Sequence, residues 1–401
     1  MMKYTQDEVL QYVEETDVKF IRLAFCDVFG RQKNVAIMPG ELKRAFQYGI
    51  AIDASSIAGF GGVRRSDLFL HPDPSTLSSL PWRPQTGRVV HMFCNVRYPD
   101  GTPFEADTRH LLQTAVERAE EAGYSFFVGT EMEFYLFRLD EQGNPTKEPY
   151  DRAGYMDIAP EDRGENVRRE ICLALEQMGI VPESSHHESG PGQNEIDFRY
   201  ADPLTAADNA VTFRQVVRAI AAQHGLWADF SPRPLAQCDG SGMHLNLSAR
   251  DAEGRELLPE LIAGVLNRVS ELTVFLNPVE NSYERLGRDK APLFLSWSAE
   301  NRSQLIRLPA AEGEYRRAEL RSPDSASNPY LAIALVMEAA LEGISAKLPL
   351  PEPMDALADE NAGQDYAPLP ASLSEAQALA RESAFVRSRV PQMVLDAYIN
   401  Q

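Results

Sequence analysis

Four short segments of the sequence set an apolar face against a face of ionisable side chains. In FFVGTEMEFYLF, Glu131 and Glu133 stand two apart. The pleat of a strand therefore puts both carboxylates on one face and Met132 and Phe134 on the other. GQNEIDFRY repeats the pattern with Glu195 and Asp197 against Ile196 and Phe198, and GSGMHLNLS with His244, Asn246 and Ser248 against Met243, Leu245 and Leu247. RRAELRSPD carries Arg317, Glu319 and Arg321 against Ala318 and Leu320. One such strand alone reads as the solvated face of an antiparallel sheet. Four of them, rich in Glu, His and Arg, almost without Lys and edged by the turns Gly190-Pro191-Gly192 and Gly240-Ser241-Gly242, argue for a shared site. Crowded carboxylates raise one another's pKa unless a cation lies among them, and a divalent metal is the natural occupant. Glutamate oxygens with a single imidazole and no thiolate favour Mg²⁺ or Mn²⁺ over zinc, and the set suffices for more than one ion. The adjacent arginines suit phosphate oxygens, so metal-assisted phosphoryl transfer is the reaction class, with a two-metal hydrolase as its competitor. Neither a GxxxxGK[ST] loop nor a kinase HRD or DFG pattern is present.

The elements that must position these residues follow from periodicity. VKFIRLAFCDVFGRQKNVAIM, residues 18–38, alternates apolar and polar residues about Phe29-Gly30 and predicts a β-hairpin. RVVHMFCNV predicts a further strand, and a helix is expected from about Thr108, which puts the domain boundary near residue 105. NVRREICLALEQMGI spaces Val167, Ile171, Leu175 and Met178 for one helical face and stops at Gly179. SNPYLAIALVMEAALEGI starts a strongly apolar helix with Asn328 as cap and Pro329 in the first turn. Residues 349–369 predict an exposed loop before a last helical portion. With 401 residues and a hydrophobic fraction of 44%, the chain can build two or three domains. A net charge of −20 argues against a nucleic-acid partner. Four isolated cysteines, Cys26, Cys94, Cys172 and Cys238, the lack of a signal-like N-terminus and the lack of a membrane-spanning apolar run point to the cytoplasm and no membrane association.

The blocks DASSIAGF, SDLFLHPD, GTEMEFYLF, HHESGPGQNEIDF, DGSGMHLNLS, NPVENSYERL, SAENRSQLIRLP and RRAELRSPDSASNPYL, in this order over most of residues 18–345, resemble the bacterial type I glutamine synthetases. The resemblance implies an α+β fold. A β-grasp N-terminal domain would span residues 1–105, and a catalytic domain of residues 106–401 would curve an antiparallel sheet into a bifunnel. It implies an ATP-dependent ligase that phosphorylates the γ-carboxylate of glutamate and passes the acyl group to ammonia or a primary amine, with two or more Mg²⁺ or Mn²⁺ ions per active site. Carried over by position, one metal site would be Glu131, Glu188 and Glu195, and the other Glu133, His244 and Glu319. Arg285, Arg321 and the backbone of Gly240 would grip glutamate, with Tyr155 lining the ammonium pocket. Arg302, Arg307 and Arg317 would hold ATP phosphates, with Glu183, His186 and Ser248 on the nucleotide side. Asp53 would reach into a neighbouring subunit of a homo-oligomeric ring, where it acts in catalysis with Glu188 and Arg302. Asp53 alone also fits an Asx turn, and His186 beside His187 also fits a surface pair.

The sequence departs from that family at defined places. The flap after NSYERL reads GRDKAP, one residue short, with Lys290 where the family has a glutamate, and Asp239 replaces an asparagine. The region after Pro349 lacks the tyrosine-bearing segment, so adenylylation control is not expected, and the early end at Gln401 leaves a ring as the expectation with its pairing into a double ring open. The altered flap keeps a second reading open, a catalytically impaired paralogue with a binding or regulatory role.

Overall fold

The computed structural model describes residues 4–62, 66–83, 86–310, 313, 316–354 and 366–400. The hairpin forms as its alternation predicts: Val18–Cys26 pairs antiparallel with Gln32–Ile37, and Arg88–Arg97 lies parallel to the first of these strands. Asp67–Pro72 and Ile50–Asp53 complete the row, with Ser78–Ser79 on the side of Arg88–Arg97. This is the β-grasp sheet.

The second sheet runs in the order Trp297–Ser298, Ile306–Arg307, Ala318–Leu320, Met243–Asp251, Tyr124–Leu139, Gln193–Phe198 and Pro182–His187. Leu226–Asp229 and Pro145–Pro149 pair with the outer part of Tyr124–Leu139. Its pairings are antiparallel except for the two-residue edge pair Trp297–Ser298 with Ile306–Arg307, which is parallel. Residues 317–321, read as one strand, keep only Ala318–Leu320 in the ladder, so Arg317 and Arg321 flank it. Arg321 donates its backbone N–H to Leu305 O instead.

Helices close the apolar side. Met132, Phe134 and Leu136 are fully buried, and the Phe134 ring meets Phe213 and Phe230. Phe213 belongs to the helix Pro203–Gln223. Thr108–Glu121 begins as expected, with Asp107 as its cap, and Glu165–Gln177 ends before Gly179 at φ +82°. The helix Pro329–Ala346 is long and apolar enough to cross a membrane but is 83% buried within the protein, packed against Leu258–Leu276 and Thr108–Glu121. Of the loop expected over 349–369, residues 355–365 lie outside the described residues. Its ends are pinned rather than free, because Met354 N donates to Trp297 O and Leu369 N to Leu293 O. The last helical portion forms as Leu373–Glu382, Ala384–Arg389 and Gln392–Ile399.

Asn328 ties the two sheets' layers together. Its side-chain oxygen caps the long apolar helix by accepting from Tyr330 N at 3.1 Å, while its Nδ2 donates to Val28 O at 2.9 Å and Thr108 Oγ1 at 3.0 Å. Removing a cap costs about 1 kcal/mol, and the two buried Nδ2 hydrogen bonds contribute about 0.5–1.5 kcal/mol each, with Val28 O keeping the Tyr398 hydroxyl at 3.0 Å as its other donor. Asn328→Ala is therefore expected to lower stability by about 2–4 kcal/mol in urea unfolding. A loss within about 0.5 kcal/mol would contradict the bridging role.

Candidate active site

The polar faces converge because strand register puts their side chains opposite one another. Tyr124–Leu139 is the centre, flanked by Met243–Asp251 on one side and Gln193–Phe198 on the other. His244 stands opposite Glu131, and on the other flank Asp197 faces Glu131 and Glu195 faces Glu133. His186 continues that second row opposite Glu195. The result is a cavity of about 300 Å³ walled by Glu131, Glu133, Glu188, Glu195, His244 and Glu319 and by Arg285, Arg302 and Arg321.

This register corrects the division of metal ligands drawn by position. Glu131, not Glu133, stands with His244 and Glu319: ligand atoms of these three lie within 4.8 Å of one another, with His244 Nδ1 at 3.3 Å from Glu131 Oε2 and 3.4 Å from Glu319 Oε1. Glu133 falls in the row of Glu195 and feels the charge of Glu188 most strongly. The error arose because motif position ignores cross-strand pairing, which joins residues at equal height on the sheet. Further groupings of the same size are His186 with Glu188 and Glu195, and the all-carboxylate set Glu131 with Glu195 and Asp197.

The electrostatics fit a cation. Burial and then the Glu188 charge push the Glu133 carboxyl up to about 7. Burial and the Glu131 charge push Asp197 up to about 7, and Glu195 is raised well above the ordinary range by burial and its four acidic neighbours. His244 is held neutral, by burial first and then by Arg321, the state in which imidazole ligates metal. The glutamate-rich donor set suits a hard divalent ion. Asn246 Nδ2 donates to Glu131 Oε1 at 2.8 Å and Gly242 N to Glu133 Oε2 at 2.8 Å, which orients both carboxylates. A Cβ at Gly242 would come within 2.7 Å of both Arg285 Nη2 and His244 Nε2, so the turn is glycine because two site residues press on it.

The arginines complement this acidic floor. Arg285 is buried and fixed by main-chain oxygens, Nη1 on Ser322 O at 2.8 Å and Nη2 on Arg321 O at 3.1 Å. Arg321 is paired through Nη1 with Glu319, and its Nε is buried without a partner. Arg307 Nη1 binds Glu319 at 2.9 Å and its Nε is likewise unpartnered. Such donors fit an anionic substrate.

The structure brings Gly240, Tyr155, Arg285, Arg302, Arg321 and the carboxylates to this cavity. Lys290 also lines it, with Nζ 4.9 Å from the centre of the Tyr155 ring, so the flap lysine points inward. Asp239 lines it too, and its carboxyl is raised by burial and by Asp289. His186 and His187 do not form a surface pair. His187 is fully buried, bonded to Asp151 Oδ1 at 2.9 Å and Glu188 O at 2.6 Å, while His186 lies against Glu188, Glu195 and the Tyr155 edge. Asp53, Glu183, Ser248, Arg307 and Arg317 do not line the cavity within one chain. Asp53 is exposed and forms the Asx turn to Ser55 N at 2.9 Å, Glu183 is exposed, Ser248 is buried opposite Phe127, and Arg317 lies over the Tyr200 ring. Sequence reasoning missed Gln193, whose Nε2 donates to Glu133 Oε2 at 3.3 Å and Gly240 O at 3.1 Å. Its position two before Glu195 placed it on the same face.

Comparison with known proteins accounts for this arrangement. The family models "Glutamine synthetase, beta-Grasp domain" and "Glutamine synthetase, catalytic domain" match residues 17–99 and 105–401. A glutamine synthetase of Methanosarcina mazei is 46% identical over 413 residues, 98% of this chain and 92% of the relative. One from Clostridium saccharobutylicum is 47% identical over 369 residues, 89% and 83% of the two chains. A solved GmaS/ADP complex shares 26% identity at a TM-score of 0.89, covering 98% of this chain and 94% of that one. The metal-dependent ATP-using ligases are the class that fold and site define. The chain belongs to the glutamine synthetase family.

A carboxyl whose pKa is raised by folding binds more protons in the native than in the unfolded state. Its contribution to stability is full below about 4.5 and lost as pH rises through about 7. His244 and His91, held low, have the opposite sign, but their effect is largely complete above the ordinary imidazole value. The metal-free protein in EDTA is therefore expected to melt at lower temperature at about pH 8 than at about pH 6.5, and saturating Mn²⁺ should raise the melting point and remove that fall. Metal-free melting that rises over this interval, or curves that ignore Mn²⁺, would contradict the cation site.

Proposed function

We propose that the protein phosphorylates the γ-carboxylate of glutamate with ATP and transfers the acyl group to ammonia or a primary amine. The observation that carries this reading is one cavity holding two sets of oxygen-rich ligands beside three convergent arginines. Mg²⁺ or Mn²⁺, two or more per site, would be held by Glu131, His244 and Glu319 and by Glu133, Glu188 and Glu195. Such ions neutralise phosphate oxygens and orient the transferring group.

Arg285, immobilised by carbonyls, and Arg321, which lines the same cavity, grip the glutamate carboxylates with the backbone of Gly240. A γ-carboxylate oxygen attacks the terminal phosphorus of ATP, ADP leaves, and an acyl phosphate remains. Arg302 faces the cavity and steadies the transferring phosphoryl group. The amine nitrogen then attacks the carbonyl carbon, expelling phosphate. Glu183, His186, Ser248, Arg307 and Arg317 serve the nucleotide side, where the GmaS/ADP complex supports a nucleotide-binding role for this fold. Asp53, exposed and outside its own cavity, completes the site of a neighbouring subunit in a ring, an arrangement that exposure at this turn leaves open to a partner. The β-grasp unit ends near residue 105, and the enzyme works in the cytoplasm.

Lys290 sets the acceptor. Attack needs a neutral amine, while ammonium is the dominant form at neutral pH. The Lys290 ammonium already lies over the Tyr155 face, the position a cationic acceptor would take, and it repels a second cation. Glu188 and Asp239 offset part of that charge. Purified protein with Mg²⁺ and glutamate should release ADP, with hydroxylamine, neutral near pH 7, a better acceptor than ammonia. Lys290→Glu should raise ammonia turnover relative to hydroxylamine about tenfold, equivalent to about 1.4 kcal/mol. No glutamate-dependent ADP release with either acceptor would leave a binding or regulatory protein, and a ratio unmoved by Lys290→Glu would remove the lysine from acceptor choice.

A further inference from the structure

Behind the site, a separate cavity of about 560 Å³ opens between the turn of the first hairpin and the helix Pro203–Gln223. Arg31 comes from the turn, and Arg214 and Arg218 stand one helical turn apart on that helix. Among the described residues none of the three has a carboxylate partner within 4.0 Å. Arg214 is only 8% exposed; its Nη1 donates weakly to Ser325 O at 3.4 Å and Ser327 O at 3.3 Å, and its Nη2 is buried with no partner. The one acidic residue of the lining, Asp229, is already engaged by Lys147 Nζ at 2.9 Å and Ser231 N at 2.7 Å. Aromatic walls stand beside the charges: Arg218 lies 5.1 Å from the centre of the Phe230 ring, and Phe29 and Trp227 line the same space.

In a chain of net charge −20, three guanidinium groups gathered round one cavity, with Asp229 as the one acidic side chain of its lining and its charge felt by Arg218, leave a local excess of positive charge that favours an anion. The turn that carries Phe29 and Arg31 is held in place by its backbone. Asp27 Oδ1 accepts from Phe29 N and Arg31 N, and Gly30, at φ +73°, presses so closely that a Cβ would lie 2.8 Å from Asn328 Cα. The cavity therefore has a buried guanidinium, Arg214, and a placed turn among its walls, which lowers the ordering cost of binding.

We propose that this cavity binds a small organic anion, its carboxylate or phosphate held by Arg31, Arg214 and Arg218 and its planar part set against Phe29 and Trp227. The site has its own route to the metal centre, since Ser325, whose carbonyl accepts from Arg214, donates its hydroxyl to Glu133 O at 3.0 Å and Gly242 O at 2.8 Å. It does not depend on the proposed reaction.

Titration calorimetry of the full-length protein at low salt in EDTA, with phenyl phosphate, phthalate and ringless inorganic phosphate as probes, tests the proposal. A ring-bearing anion should bind more tightly than inorganic phosphate, and whether phenyl phosphate or phthalate leads identifies the head group. Arg31→Ala and Arg218→Ala, both at exposed positions whose replacement leaves the core intact, should each weaken that binding about tenfold or more, while Arg302→Ala should leave it unchanged. Absence of binding by every probe, as when a second copy of the chain covers the cavity, would overturn the proposal. Loss in Arg302→Ala alone would place the anion in the catalytic cavity and overturn it equally.

Discussion

Four glutamates and an aspartate share one face of a sheet, Glu188 stands on the turn beside them, and without a cation among them their charges repel. The upward push on Glu133, Glu195 and Asp197 expresses that constraint, and its leading cause in each case is burial, with the neighbouring carboxylates adding to it. Burial removes the solvent that would screen the repulsion, and only positive charge brought into the cavity can replace it. The protein supplies part of that charge through Arg307 and Arg321 on Glu319, and the remainder falls to divalent ions. Arginine is suited to this duty because it stays charged and its planar fork can hold a carboxylate while leaving donors for a substrate.

The fold meets the constraint by rigidity. A site of like charges would spread if its carriers were loops, and here most carriers sit on paired strands whose opposite faces are locked by buried Met132, Phe134, Ile196, Met243 and Leu245. Glu188, which follows the strand Pro182–His187, lies on a turn and has the most reason to drift. The fully buried His187 holds its carbonyl and is itself held by Asp151, and Gln193 O accepts from Glu188 N. Charge repulsion at the site is thus opposed by apolar packing and hydrogen bonds behind it.

Much of this was legible in the sequence because period-two alternation carries two messages at once, which face is buried and which residues share the other. Glu131 with Glu133, Glu195 with Asp197, and His244 with Asn246 followed from it directly. Gln193 obeyed the same rule but was passed over because an amide does not announce charge. The partition of ligands was not legible, since it depends on register between strands more than a hundred residues apart: His244 meets Glu131 only after Met243–Asp251 aligns with Tyr124–Leu139. Nor could alternation show that Arg317 and Arg321 fall outside a three-residue strand, or that Lys290 folds over Tyr155, because a flap follows no period. The helices that Asp107 and Asn328 cap were legible because their signals are local.

Crowded carboxylates and convergent arginines are proposed to make an acyl phosphate from glutamate before any amine attacks. Positional isotope exchange tests it most directly, using ATP labelled with oxygen-18 at the β,γ-bridge, incubated with protein, Mg²⁺ and glutamate in the absence of an acceptor. Reversible phosphoryl transfer frees the β-phosphate of bound ADP to rotate, so the label should scramble into its non-bridging positions, and only when both glutamate and metal are present. A label that stays in the bridge while amide product forms on addition of amine would contradict the account.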